Sequence, residues 1–171
     1  MKSTLLSLTL SLWVAGVALA ASPAGTKPAA PPVVNIAQTV IKLPLAKGVS
    51  LDDAVEAMKI RANKLNIMLV AEMPLSKQII AQGGKSRRID IYQFCDPLIA
   101  KKMVEYDIHF AAYLPCRISL VEDAKGQGWL VMMNLDIFIQ DPKLDPVLKA
   151  DAIKVRDTLN EIIQAGAQGA W

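Results

Sequence analysis

Cys116-Arg117-Ile118-Ser119-Leu120-Val121-Glu122 and Trp129-Leu130-Val131-Met132-Met133-Asn134-Leu135 flank the turn-rich segment Asp123-Ala124-Lys125-Gly126-Gln127-Gly128. Two runs rich in β-branched and large apolar residues, separated by an insert of hairpin length that carries two glycines, read as a β-hairpin. A hairpin sets its strands antiparallel, whereas parallel strands need a long crossover between them. Strand and helix patterns on either side of it connect in mixed fashion, which argues for an α+β domain with helices packed on a mixed or antiparallel sheet.

Upstream, Arg88-Ile89-Asp90-Ile91-Tyr92-Gln93-Phe94 alternates with period two, the mark of a strand with one buried face. Which face is buried stays open, because Ile89, Ile91 and Gln93 lie on one side and Arg88, Asp90, Tyr92 and Phe94 on the other. Asp96-Pro97 follows as a helix start: Asp accepts the free amides of the first turn, and Pro loses nothing at the first helical position. Leu98, Ile99, Met103 and Val104 carry that helix to about Tyr106.

Further upstream, Val34 to Lys42 suggests a first strand. Ser50 and Asp53 form a capping-box-like start for a helix whose apolar residues Leu51, Ala54, Val55, Met58, Ala62 and Leu65 recur at helical spacing. Ile67 to Val70 reads as a short strand closed by Pro74, and Leu75 to Gln82 as a brief helix ended by Gly83-Gly84. Downstream, Asp145-Pro146 repeats the Asp-Pro start, and Val147, Leu148, Ala152, Val155, Leu159, Ile162 and Ile163 trace a long amphipathic helix that Gly166 is expected to end. Met73, Met103, Met132 and Met133 are expected to fill the core.

The N-terminus reads as an export signal. Lys2 gives a positive start, Leu5 to Leu19 is free of charge, and Ala18-Leu19-Ala20 presents small residues before a cleavage point at Ala21. About 15 apolar residues span roughly 22 Å, short of the roughly 30 Å hydrocarbon core. No cysteine follows the run to accept a lipid, and no later segment is apolar enough to span a membrane, so a soluble periplasmic protein is expected. Residues 21–32, rich in Pro and Ala, read as a flexible mature N-terminus, residues 33–165 as one domain, and residues 166–171 as a C-terminal tail.

Removing 20 of 171 residues leaves 151, enough for one real core. The 53% hydrophobic fraction fits a globular domain rather than a disordered one. The net charge of +3 includes Lys2 and is too small to argue for nucleic acid. The brief basic tract Lys85, Arg87, Arg88 has no aromatic platform beside it and reads as a solvated strand end.

Phe94-Cys95-Asp96-Pro97 followed by Ala100, Leu114-Pro115-Cys116-Arg117, and Val121-Glu122-Asp123 together resemble the domain of unknown function 302 family. The resemblance runs from about Val34 to Ala165. It implies a compact α+β domain similar to the TATA-binding-protein-like fold, pairing as a homodimer. For members with this kind of leader it implies a periplasmic setting in sulfur or related metabolism. It names no activity and no cofactor. Many members carry Gly where Cys95 stands and an apolar residue where Cys116 stands, so a role for the two thiols belongs to a subgroup. Where the family commonly has a glycine before the second strand, this chain has Leu65-Asn66, and Asn tolerates the same left-handed turn.

Cys95 and Cys116 are the only cysteines. Three roles are open to them: a disulfide, if antiparallel strands bring Cys116 back beside Cys95; two separate packed thiols; or a reactive pair. For the last, Cys95 precedes a helix start whose dipole would acidify a thiol, and Arg117 would act on Cys116 in the same direction, while Asp96 opposes it. His109 is the only histidine, and a site of Cys95, His109 and Cys116 matches no standard zinc spacing, so no metal is assigned. Asp96, Glu122, Asp123 and Asp136 sit at expected caps or turns. No Cys-x-x-Cys, Walker loop or Gly-x-Gly-x-x-Gly occurs. The expectation is a non-enzymatic binding or accessory protein for a small ligand or periplasmic partner. The alternative is a thiol-based redox or sulfur-carrier protein using Cys95 and Cys116, and the third option is a metal-binding protein.

Overall fold

The computed structural model describes residues 34–140 and 144–171, so the leader and residues 21–32 lie outside the described part. A 3-10 turn at Ile36–Gln38 precedes β1 (Val40–Pro44), so the first strand begins later than Val34. Asn35 accounts for the difference: its side chain accepts the Ala37 amide at 3.1 Å and holds a turn where β-branched residues suggested a strand. Next come α1 (Leu51–Lys64), β2 (Met68–Met73), α2 (Leu75–Ala81), β3 (Ile89–Cys95) and α3 (Pro97–Tyr106). After a 3-10 segment at Ile108–Tyr113, the chain continues through β4 (Cys116–Glu122), β5 (Gly128–Met133), α4 (Asp136–Ile139) and α5 (Pro146–Gln168).

The five strands form one antiparallel sheet in the order β1-β5-β4-β3-β2, which is the α+β fold expected from the hairpin. Its register decides which side chains meet. Ile41, Met132, Ile118 and Tyr92 lie across one row, and Leu43, Leu130, Leu120 and Asp90 across the next. Both rows face α1 and α5, with Ile118, Leu120 and Leu130 fully buried. In β3 the inward residues are therefore Asp90, Tyr92 and Phe94, the side that composition alone left undecided. On the opposite face Ile89, Ile91, Val121, Trp129, Val131 and Met133 stay half-buried.

Local chemistry explains the helix starts. Ser50 Oγ accepts the Asp53 amide at 3.0 Å while Asp53 Oδ2 accepts the Ser50 amide at 3.2 Å, a complete capping box. Asp96 and Asp145 each accept two amides of the following turn, with Pro in the first helical position. Asn66 takes φ 55° after α1, as the Leu65-Asn66 reading requires.

Three expectations are corrected. Gly166 does not end the last helix, and residues 166–171 are not a tail: α5 continues to Gln168 and stops at Gly169 with φ 62°. Gly166 serves a close approach instead, since a Cβ there would stand 2.5 Å from Met58 Cγ and 2.8 Å from Leu130 Cδ1. Met73 is not a core residue; it is 40% exposed at the sheet edge, whereas Met103 and Met132 are buried.

Candidate functional site

Where β3 ends and β4 begins, the two strands part from the helices and leave an apolar pocket of about 90 Å³. Separate parts of the chain build it, with Ile67 ahead of β2 and Cys116 of β4 among its lining residues. Phe94, Cys95 and Asp96 come from the end of β3, Ile99, Ala100 and Met103 from α3, and Phe110 and Tyr113 from the 3-10 segment. Leu135, Phe138 and Ile139 arrive after β5, and α5 closes the back with Ala152, Val155 and Leu159.

The walls are held by contacts between the elements that carry them. Lys102 on α3 pairs with Asp151 on α5 at 2.8 Å, and Arg156 on α5 pairs with Asp136 on α4 at 2.8 Å. The rings of Tyr113 and Phe138 meet at 4.5 Å with 54° between their planes, joining the 3-10 segment to α4. Asp107 caps the 3-10 segment by accepting the His109 amide at 2.9 Å.

Both cysteines border the pocket, and both are free thiols. The antiparallel register does return Cys116 to the neighbourhood of Cys95, but Phe94 is the residue directly opposite Cys116. Successive side chains of a strand point to opposite faces, so Cys116 shares the inward face of Phe94 and Cys95 does not. Burial pushes the Cys116 thiol up from 9.0 to about 11, helped by Cys95, with Arg117 opposing only weakly. Burial, then the charge of Asp96, also raises Cys95. The helix start that argued for an acidic Cys95 is thus outweighed by desolvation. Nucleophilic or liganding cysteines act as thiolates, and this site favours the thiol.

The other candidates separate. Asp96 spends its Oδ1 on the amides of Leu98 at 3.0 Å and Ile99 at 3.1 Å. Arg117 is exposed on the outer side of β4, opposite Gln93, and takes no part in the pocket. His109 has a side chain 87% exposed, and its Nδ1 lies 2.6 Å from Asp107 Oδ1. The amide and ring of His109 hold the Asp107 carboxyl below its ordinary range. His109 does not converge with the cysteines, and among the described residues no group of three or more His, Cys, Asp or Glu could hold a metal ion.

Sequence reasoning missed the aromatic wall of Phe110, Tyr113 and Phe138, and also a buried polar cluster under α2. There Asp90, 3% exposed, accepts Ser76 Oγ at 3.2 Å, the Tyr92 hydroxyl at 3.4 Å and Arg88 Nε. Arg88 extends to Asp52 at 2.9 Å. The available signal was the pair Arg88 and Asp90 two residues apart in a strand, which places opposite charges on one face.

The comparisons with known proteins agree with this architecture. The crystal structure of an uncharacterized conserved protein DUF302 from Bacillus stearothermophilus is similar with a TM-score of 0.61 at 14% identity, covering 74% of this chain and 97% of that one. At that identity the likeness shows the fold. No curated protein matches the chain. The family model described as domain of unknown function DUF302 matches residues 41–166, and with the antiparallel sheet and its helices in place, the chain belongs to that family.

Proposed function

We propose that this chain is an exported, non-catalytic binding protein that takes a small apolar ligand into the pocket between the sheet end, α3 and α5. One observation carries the reading: an apolar cavity of about 90 Å³ bordered by residues from separate parts of the chain, whose one charged lining residue among those described, Asp96, caps α3. Apolar concavities lined by aromatic and aliphatic groups are the usual form of small-molecule sites. The raised thiols of Cys95 and Cys116 fit packing in the wall better than redox exchange or sulfur transfer.

Export rests on the leader residues Lys2 to Ala20, with cleavage before Ala21. Among the described residues no helix is long and apolar enough to cross a membrane. Pairing as a homodimer is supported by the outer sheet face, where Trp129, Val131, Met133, Ile89, Ile91 and Val121 lie together half-buried.

Methyl-resolved NMR of the mature protein, titrated with n-butane, tests the binding reading. Saturable shifts of Ile99, Met103 and Ile139 methyls, with those of Ile118 and Leu120 unmoved, are expected. Shifts that are absent, or linear and spread over the whole molecule, would reject it.

A further inference from the structure

The pocket's polar inventory says what kind of molecule it accepts. Its lining residues are apolar apart from Asp96, Tyr113 and the two cysteines. Among the described residues none of them is cationic. On the surrounding helices Lys101 pairs with Glu105 at 2.7 Å, Lys102 with Asp151 at 2.8 Å, and Arg156 with Asp136 and Asp157 at 2.8 Å each, while Lys149 and Lys154 of α5 are exposed and line no part of the pocket. An anionic head group would therefore meet no counter-charge and would face Asp96. A cationic head group would instead meet the Asp96 carboxylate, which keeps its charge although its Oδ1 accepts two backbone amides. Burying an unpaired charge is far more costly than burying a neutral group of the same size.

Size narrows the class further. A water molecule takes about 30 Å³ of liquid, and an apolar cavity of about 150 Å³ holds a benzene ring. A space of about 90 Å³ suits an aliphatic chain of about four carbons. We infer that the site takes an uncharged molecule presenting a short aliphatic chain, and discriminates against the same chain carrying a carboxylate. This inference rests on the binding reading above and adds the ligand's charge and size.

Three probes of equal chain length test it: 1-butanol, butanoate and butylammonium, each titrated at neutral pH while the Ile99, Met103 and Ile139 methyls are followed. Butanol and butylammonium are each expected to bind at least tenfold more tightly than butanoate. Butanoate should gain at least tenfold in affinity between pH 7 and pH 5, as its neutral form becomes abundant. A butanoate affinity equal to that of butanol or of butylammonium, or one that does not change with pH, would overturn the charge selectivity while leaving a binding pocket in place. No saturable shift with butanol would overturn both readings.

Ala152→Leu, which fills the pocket from α5, should abolish the butanol response. If that variant melts early, Ala100→Leu fills it from α3 instead. Retained butanol binding in a folded, filled variant would place the ligand elsewhere and refute the assignment.

Discussion

Replacing Asp90 by Asn removes one negative charge from the inside of the sheet and leaves the side-chain shape nearly unchanged. Asp90 is 3% exposed and lies in the row of Leu43, Leu130 and Leu120, among side chains that offer no polar contact. Its carboxylate meets Arg88 Nε, Ser76 Oγ and the Tyr92 hydroxyl, and the Arg88 side chain is itself only 26% exposed. Breaking a buried charge pair from one side costs about 3–5 kcal/mol, because the remaining charge is left without compensation. Two features reduce that figure: an Asn carbonyl still accepts from Arg88, and Asp52 still holds the guanidinium at 2.9 Å. The expected loss is about 2–3 kcal/mol. At about 2–4 °C per kcal/mol for a domain of this size, the melting temperature falls by roughly 5–10 °C. Urea denaturation should show a lower midpoint with the m-value unchanged. Asp52→Asn is the control; that carboxylate has a side chain 84% exposed, and its removal should cost under about 1 kcal/mol. A loss below about 0.5 kcal/mol for Asp90→Asn, or equal losses for both variants, would refute the view that Asp90 anchors the cluster.

Cys116 makes stability depend on alkaline pH. Below 9.0 its thiol is protonated in the folded and unfolded chains alike, and from there to about 11 only the folded chain retains the proton, so stability falls as pH rises. At about 1.4 kcal/mol per pH unit the loss is about 2–3 kcal/mol across that window, and urea melts at several pH values should show Cys116→Ala losing stability less steeply than the parent. Gly166→Ala, whose new methyl would meet Met58, Leu130 and the Ala54 carbonyl at 3.1 Å or less, should cost about 1–3 kcal/mol by thermal melt despite the better helix propensity of Ala.

Local signals in the sequence foretold local structure well. The Asp123 to Gly128 turn, the Ser50 capping box, the two Asp-Pro helix starts and the left-handed Asn66 each depend on a few neighbouring residues, and each forms where the pattern places it. Readings that depended on a distant partner failed or stayed open. The inward face of β3 could not be chosen from alternation because its buried row includes Asp90, and a buried carboxylate is tolerated only when Arg88, Ser76 and Tyr92 arrive to satisfy it. Gly166 looked like a helix stop because glycine commonly ends helices, but its missing side chain admits Met58 from α1 and Leu130 from β5. The pocket was legible only in fragments: Cys95, Asp96 and Cys116 drew attention as chemistry, while the aromatic residues that shape it lie in the 3-10 segment and α4, two elements too short to show a period.

The position of the pocket connects stability to use. The main core lies between the sheet and the helices α1 and α5, a smaller cluster of Ile99, Met103, Leu144 and Leu148 joins α3 to α5, and Val155 packs against both. The cavity sits along that seam, where Val155 and Leu159 back it from α5. A longer side chain at Ala100 or Ala152 would bury more apolar surface there, as cavity-filling substitutions commonly do. Keeping alanine at both positions leaves room that packing alone does not require, which is the expected trade where a binding space is maintained at the expense of stability. The same reasoning separates this pocket from the Asp90 cluster, whose polar groups satisfy one another and leave nothing for a ligand to supply.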